Sequence, residues 1–280
     1  MNSFPAQEIH VVLFLVSLIQ SGQSLSVLES YYYAINWHHS FGKYNPCQGN
    51  LCKATLEAAK RILKRTVAKK EPLTVEINSK LFDFLGGQNM SLLNLRTITI
   101  ILLSFAGFLR YDEVSALKRA DFEINSQYMK VFIEKSKTDI YRDGHWVFIA
   151  RTHTKLCPVK AITKWFNEAG ITENDHDKFI FRALVLFRST RIHKLREDNK
   201  PISYTRIREE VLAAIGNIGL EKEKFGMHSL RSGGATAAAN KGVKDRLFKR
   251  HGRWKTENVK DGYVKDDLKE LLSVTLNFGL

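Results

Sequence analysis

The sequence predicts a mainly α-helical protein with a small antiparallel β-sheet, in two domains: a helical one over residues 1–72 and a larger one over 73–280. Three observations carry this. Apolar residues recur at helical spacing through the first 70 residues and again from residue 73 onward. Residues 92–109, LLNLRTITIILLSFAGFL, are almost wholly apolar, as a central buried helix requires. Residues 128–151 instead alternate in the manner of strands, with Val131 and Ile133 before a polar break and Trp146 and Phe148 after it.

In the first domain, Val11, Leu15, Leu18 and Ile19 define one helix, and Leu28, Tyr31, Tyr32 and Ile35 a second, capped by Ser24 or Ser26. The apolar run Ile9–Ile19 is too short to span a bilayer and reads as a buried helix. Asn45-Pro46 and Gly49 break the pattern. A third helix sets Leu56, Ala59, Ile62 and Leu63 on one side, with Lys60, Arg61, Lys64 and Arg65 around the rest. Those four cations suit the backbone of DNA, and a charged solvent face explains them equally well. Lys69-Lys70-Glu71-Pro72 makes a linker, because proline disfavours helix at the residue before it.

In the second domain, Asn78 or Ser79 opens an amphipathic helix bearing Leu81, Phe84 and Leu85. Gly107-Phe108 ends the apolar helix and Arg110 follows at once, a charge that is costly there unless satisfied. Glu113, three residues on, either supports Arg110 as a ligand-facing fork or forms a buried structural pair with it. Strands are expected at 129–135 and 145–150, with Lys135 and Lys137 on one side because side chains repeat every two residues. Pro158 opens a helix to Ala169. Residues 171–200 are the least readable, with a short strand KFIFR, and Ile202–Ile215 reads as a further helix.

Composition narrows the function. A net charge of +14 over 280 residues, interspersed with apolar residues, points to a polyanion, with nucleic acid the default. Three cysteines (Cys47, Cys52, Cys157) offer neither a disulfide framework nor metal spacing, which favours a reducing compartment. No targeting segment is evident, so an intracellular home is expected: the cytoplasm, or the nucleus of a eukaryote.

The stretch from Gly226 to Tyr263 holds the sharpest chemistry. His228 and Arg231 are three residues apart and share a helix face, and Ser232–Ala239 carries only small side chains that permit close approach. An imidazole beside a permanent guanidinium suits a phosphate that gains charge in a transition state. Lys249, Arg250, Arg253 and Trp254 follow, then Tyr263, a candidate nucleophile.

The ordered set Arg110-x-x-Glu113, Lys137, His228-x-x-Arg231, Trp254 and Tyr263 resembles the tyrosine recombinases, the phage-integrase family. The phrases GFLRYDEVSALKRADF and HSLRSGGATAAANKGV fit its two boxes, the second being nearer to recombinases of eukaryotic mobile elements. Tyr263 stands nine positions after Trp254, a usual separation in that family. The resemblance covers residue 73 to the end, and the first 72 residues are similar to a shortened core-binding domain.

It implies a site-specific recombinase that breaks and rejoins double-stranded DNA through a 3′-phosphotyrosyl intermediate on Tyr263, with no cofactor and no metal. Arg110 and Arg231 would clamp the phosphate, Lys137 (or Lys135) would protonate the leaving oxygen, and His228 would assist proton transfer. Trp254 would donate its indole N–H, Glu113 would orient the cations, and Lys60, Arg61, Lys64, Arg65, Lys135, Arg250 and Arg253 would grip DNA. An idle DNA-binding descendant, a type IB topoisomerase and a helical scaffold remain the alternatives. The tail carries Leu268, Leu271 and Leu272 at helical spacing behind acidic Asp266-Asp267. It is expected to dock either on its own domain or on a neighbour in a tetramer assembled on DNA.

Overall fold

The computed structural model describes residues 5–64, 69–136, 143–187, 192–266 and 268–276. The chain divides into two compact units, 1–69 and 70–280.

Among the described residues the first unit has three α-helices: α1 (Glu8–Gln20), α2 (Leu25–His39) and α3 (Asn50–Leu63). Ser24 caps α2 by accepting from the Val27 N–H, and a 3-10 turn at Pro46–Gln48 lies before α3. Val11, Leu15, Leu28, Tyr32, Cys47, Cys52, Leu56 and Ala59 form the core. The Glu8 carboxylate accepts from the Cys52 N–H at 2.9 Å, joining the starts of α1 and α3.

The apolar helix α1 is not buried as expected, since Ile9, Leu13 and Phe14 are exposed. So are Tyr31 and, on α3, Ile62. A three-helix unit offers each helix one inner stripe, and α1 is apolar all round, so part of its surface must face out. No helix among the described residues is long and apolar enough to cross a membrane.

The second unit is built on α5 (Leu92–Ala106), capped by Ser91 and buried from Leu95 to Ser104. Before it, α4 (Val75–Phe84) begins at the Thr74 cap rather than at Asn78 or Ser79, because Thr74 accepts from the Ile77 N–H. After it come α6 (Tyr111–Ser115) and an antiparallel sheet of β1 (Phe122–Ile124), β2 (Tyr128–Ile133) and β3 (His145–Ala150). Val131 pairs with both Phe122 and Val147, so the inward residues of β2 face the core in register with both neighbours. The two expected strands are thus present, and β1 adds a third.

Next, α7 (Pro158–Ala169) ends on left-handed Gly170. The expected strand KFIFR is not one: Phe179 and Arg182 make isolated bridges, and the paired strands lie just beyond, β4 (Leu184–Phe187) with β5 (Ile192–Leu195). Ile180 and Phe181 serve the core instead, where the Trp165 indole donates to the Ile180 carbonyl at 3.1 Å.

The remaining helices are α8 (Tyr204–Asn217), α9 (His228–Ala239), α10 (Asp245–Gly252), α11 (Glu257–Asp261) and α12 (Leu268–Leu276). Arg96, on the apolar α5, is buried, and its two terminal nitrogens find partners across the core while its Nε has none among the described residues. It donates to the Glu210 carboxylate of α8 at 2.7 and 2.9 Å and to the Arg182 carbonyl at 2.8 Å. Removing one partner of such a pair costs about 3–5 kcal/mol, so α5 and α8 are tied in one register.

Helix α9 packs on α5 through glycines. A methyl group at Gly234 would strike the Phe105 carbonyl and ring of Phe108, and one at Gly233 the Leu73 carbonyl. Each glycine forgoes about 1 kcal/mol of helix propensity relative to alanine. Close backbone approach outweighs that loss, since a carbonyl fixed in α5 cannot step aside. Gly234→Ala is therefore expected to lower stability by ~1–3 kcal/mol despite its better propensity, measured as a drop in melting temperature of several degrees.

Candidate active site

The site grows from the end of α5. The chain turns at Gly107 and Phe108, the latter with φ of +48°, and presents Arg110 as the residue before α6. Glu113, in the first turn of α6, accepts from the Arg110 backbone N–H and from its guanidinium, both at 2.8 Å. The two open possibilities for Arg110 and Glu113 thus coincide. They form an ion pair, and Arg110 also lines a cleft of about 810 Å³.

Glu113 serves two more cations. Arg253 donates to its other carboxylate oxygen at 2.8 Å, and Arg231 stands 3.9 Å from that same oxygen. Three guanidinia thus share one carboxylate that is itself only 2% exposed. At ~4 Å and an effective dielectric near 20, each charge pair is worth about 4 kcal/mol, attractive or repulsive. The carboxylate is what lets the three cations coexist, and two positive charges are left uncompensated within the cluster.

Arg231 is fully buried, directly behind the cleft-lining Glu113 and Tyr263. It donates to the Phe108 carbonyl and, at 2.6 Å, to that of Gly252. Its guanidinium lies 4.8 Å from the centre of the Tyr263 ring and 5.0 Å from that of Trp254. Burial, then the neighbouring Arg110 and Arg253, lowers Arg231 to about 10, which leaves it charged at neutral pH. Arg110 thus lines the cleft, while Arg231 is buried behind it.

Tyr263, half-buried, follows α11 and lines the cleft with Arg110, His228 and Lys135. His228 is exposed at the first position of α9. Trp254 is buried, with its ring 5.6 Å from that of Tyr263, against Phe108 and Phe248. Its indole N–H has no hydrogen-bond partner among the described residues, nor has the Arg231 Nε. Acidic side chains share the cleft, notably Asp112, Asp121 and Glu134. The Asp121 carboxylate accepts from the Lys118 N–H at 2.7 Å.

Lys137 and Arg65 lie outside the described residues. Arg250 is exposed and lines an adjoining recess of about 470 Å³ with His145, Arg246, Lys249 and Lys255. On α3, Arg61 is exposed, as is Lys64 just after it, while Lys60 is paired with Glu57 at 2.7 Å. Arg253 was expected on the DNA-facing surface and is instead turned inward, its side chain 5% exposed.

That inward turn was hidden because Gly252 invites a helix end at glycine. Arg253 takes the left-handed position instead (φ +56°), and Gly252 is held by closeness, since a methyl group there would meet the Trp254 ring. His251 was also unforeseen. It is nearly buried, packs edge-on to Phe108 and donates to the Ala106 carbonyl at 2.8 Å.

Comparison with known proteins shows the family. The model of the phage integrase family matches residues 73–270, and the chain belongs to that family. An integrase/recombinase XerD homolog of Selenomonas ruminantium is 29% identical over 225 residues, covering 80% of this chain. The chain spans 62% of that relative's length.

Among solved structures, the XerH site-specific recombinase in its post-cleavage complex with difH substrate has 18% identity and a TM-score of 0.61, with 96% of this chain and 69% of that one covered. The Tn1549 transposon integrase in complex with transposon right end DNA has 12% identity and a TM-score of 0.64, with 99% and 86% covered. At these identities the likeness is one of fold. The expected nearness to eukaryotic mobile elements is not carried by these relatives, since the one with a named source organism is bacterial.

Burial lowers the pKa of His251 below its ordinary 6.5, helped by Arg253 and Arg231 and against the opposing Ala106 carbonyl. Well above pH 6.5 neither the folded nor the unfolded chain protonates this group. Below that value the unfolded chain binds a proton that the folded chain refuses, so stability falls with pH toward the folded pKa. His251→Gln should flatten this decline, read as the urea midpoint followed between about pH 7 and about pH 5.

Proposed function

We propose that the chain is a site-specific DNA recombinase whose nucleophile is Tyr263. Its phenolic oxygen attacks a phosphodiester phosphorus, the bond to the 5′-oxygen breaks, and the product is a 3′-phosphotyrosyl linkage with a free 5′-hydroxyl. A hydroxyl of a second strand reverses the step, so the covalent bond conserves the energy of the broken one. One observation carries the reading: Tyr263 lies over a buried cluster of three arginines and one carboxylate, beside a cleft that Arg110 and His228 also line. A net positive, donor-rich floor suits a phosphate whose charge grows in the transition state.

In this proposal Arg110 binds a non-bridging oxygen directly. Arg231 acts first through its field, and contact with phosphate requires its release from the Phe108 and Gly252 carbonyls. The unpartnered Trp254 indole N–H is a further donor to phosphate. His228 takes part in proton transfer from Tyr263, since a phenol that keeps its proton is a poor nucleophile. Lys137 protonates the leaving oxygen, with Lys135, exposed in the cleft, as the substitute.

The first 72 residues act as a core-binding domain that grips DNA through Lys60, Arg61, Lys64 and Arg65. Arg250 contacts the backbone beside the site. The protein works inside the cell, on DNA.

Tyr263→Phe should abolish covalent adduct on nicked suicide DNA while changing DNA affinity little, since phosphate contacts dominate binding. Adduct persisting in the variant would assign another nucleophile. Adduct absent from the parent chain would leave the idle DNA-binding descendant.

Assembly follows from the tail. On α12, Leu268, Leu271, Leu272 and Leu276 are exposed rather than docked on their own domain. This apolar stripe supports docking on a neighbouring copy, and strand exchange between two sites calls for a tetramer on DNA. Deleting residues 266–280 should leave a monomer that binds DNA but no longer forms higher-order complexes, as followed by sedimentation. Unchanged complexes would remove the tail from the interface.

A further inference from the structure

We infer that Arg253 is a positioning residue of this site: from a strained backbone it fixes Glu113 and the turn at residues 107–110, and so sets where Arg110 and Arg231 stand. The inference rests on the recombinase reading for its activity test and on geometry for the rest.

Two non-glycine residues among those described have positive φ, Phe108 at +48° and Arg253 at +56°. They are bonded to each other, since Arg253 donates to the Phe108 carbonyl at 2.9 Å. The left-handed region is unfavourable for a side chain with a Cβ and is ordinarily left to glycine or asparagine. Strain held in place by its surroundings gathers at functional sites, and the observed outlier is the reason to look for a role. Closing α10 needs no side chain here, because the Arg253 N–H already meets the Arg250 carbonyl at 3.1 Å. Glycine would close the helix without strain.

The arginine side chain therefore answers to something else, and its contacts say what. One guanidinium nitrogen donates to Gly107 and His251 carbonyls at 3.2 and 3.0 Å, and the other to the Phe108 carbonyl and Glu113. A single fork spans the strained turn and the shared carboxylate. This geometry suits arginine and not lysine, which presents one point charge.

It also explains how Glu113 is divided. One oxygen is held by the Arg110 side chain, and the other by the Arg110 backbone and Arg253. Arg231 is left at 3.9 Å from that second oxygen. Without Arg253, the oxygen is open to Arg231, which would be drawn toward Glu113 and away from an incoming phosphate. Carboxylate and substrate would then compete for the same cation. The turn carrying Arg110 would lose its brace at the same moment.

The decisive variant is Arg253→Gly, which relieves the backbone and removes the fork. DNA affinity should stay near that of the parent, while covalent adduct on suicide DNA forms roughly 100-fold more slowly, the scale of a misplaced catalytic group. Arg253→Lys should remain slow, because charge without the fork does not restore the geometry. Combining Arg253→Gly with Glu113→Gln should slow the reaction less than the product of the separate effects, since the competitor for Arg231 is gone.

A folded Arg253→Gly protein that cleaves at the parental rate overturns the inference. So does full rescue by lysine, which also decides the matter if the glycine variant does not fold. If the parent forms no adduct, the recombinase reading fails instead. The same two-residue cycle, read by thermal denaturation, then judges Arg253: additive shifts overturn the positioning role, and coupled shifts uphold it.

Discussion

Three separate pieces of chain meet at the carboxylate of Glu113. It receives Arg110 from the turn after α5, Arg231 from α9 and Arg253 from the end of α10, while itself belonging to α6. A buried carboxylate on its own would be driven to protonate, and buried arginines together would repel one another. Each is tolerable only with the other present. The Phe108 carbonyl plays the complementary part, accepting from both Arg231 and Arg253. Between them, one side-chain anion and one backbone oxygen define where positive charge can stand, and the cleft with Tyr263 is placed by that definition.

Much of this was legible from residue order. The apolar stretch 92–109 announced α5 because full burial leaves a continuous apolar run, and the alternation at 128–151 announced β2 and β3. The Arg110–Glu113 link was readable because three residues span one helical turn, a purely local relation. The inward path of Arg253 was not legible. It depends on a left-handed backbone that sequence assigns by preference to Gly252, and on a partner 140 residues away. The burial of Arg231 was likewise invisible, because residue type alone puts a cation beside water. The β4–β5 hairpin was missed for a different reason: the apolar KFIFR run mimics a strand, yet its Ile180 and Phe181 fill the core.

The apolar surface of α1 carries a related lesson. Periodicity identifies a helix, but it names the buried side only when the opposite side is polar. Ile9, Leu13 and Phe14 are as apolar as the buried Val11 and Leu15, so nothing in the pattern distinguishes them. On α3 the basic residues mark the outside more clearly, though Leu51 and Ile62 are exposed there as well.

The glycine contact between α9 and α5 sets a limit on how the site can drift. Where helices meet through branched side chains, a core substitution can be absorbed by a small slide of one helix along the other. Here α9 rests on carbonyl oxygens of Leu73 and Phe105, atoms that no substitution alters. His228 and Arg231 ride on α9 just before those glycines, so their offset from α5 is fixed chiefly by main chain, with the Phe108 ring beside it. Volume-changing substitutions elsewhere in the large core should therefore be absorbed without moving these two residues, and the chemistry can be inherited through extensive exchange of the surrounding side chains.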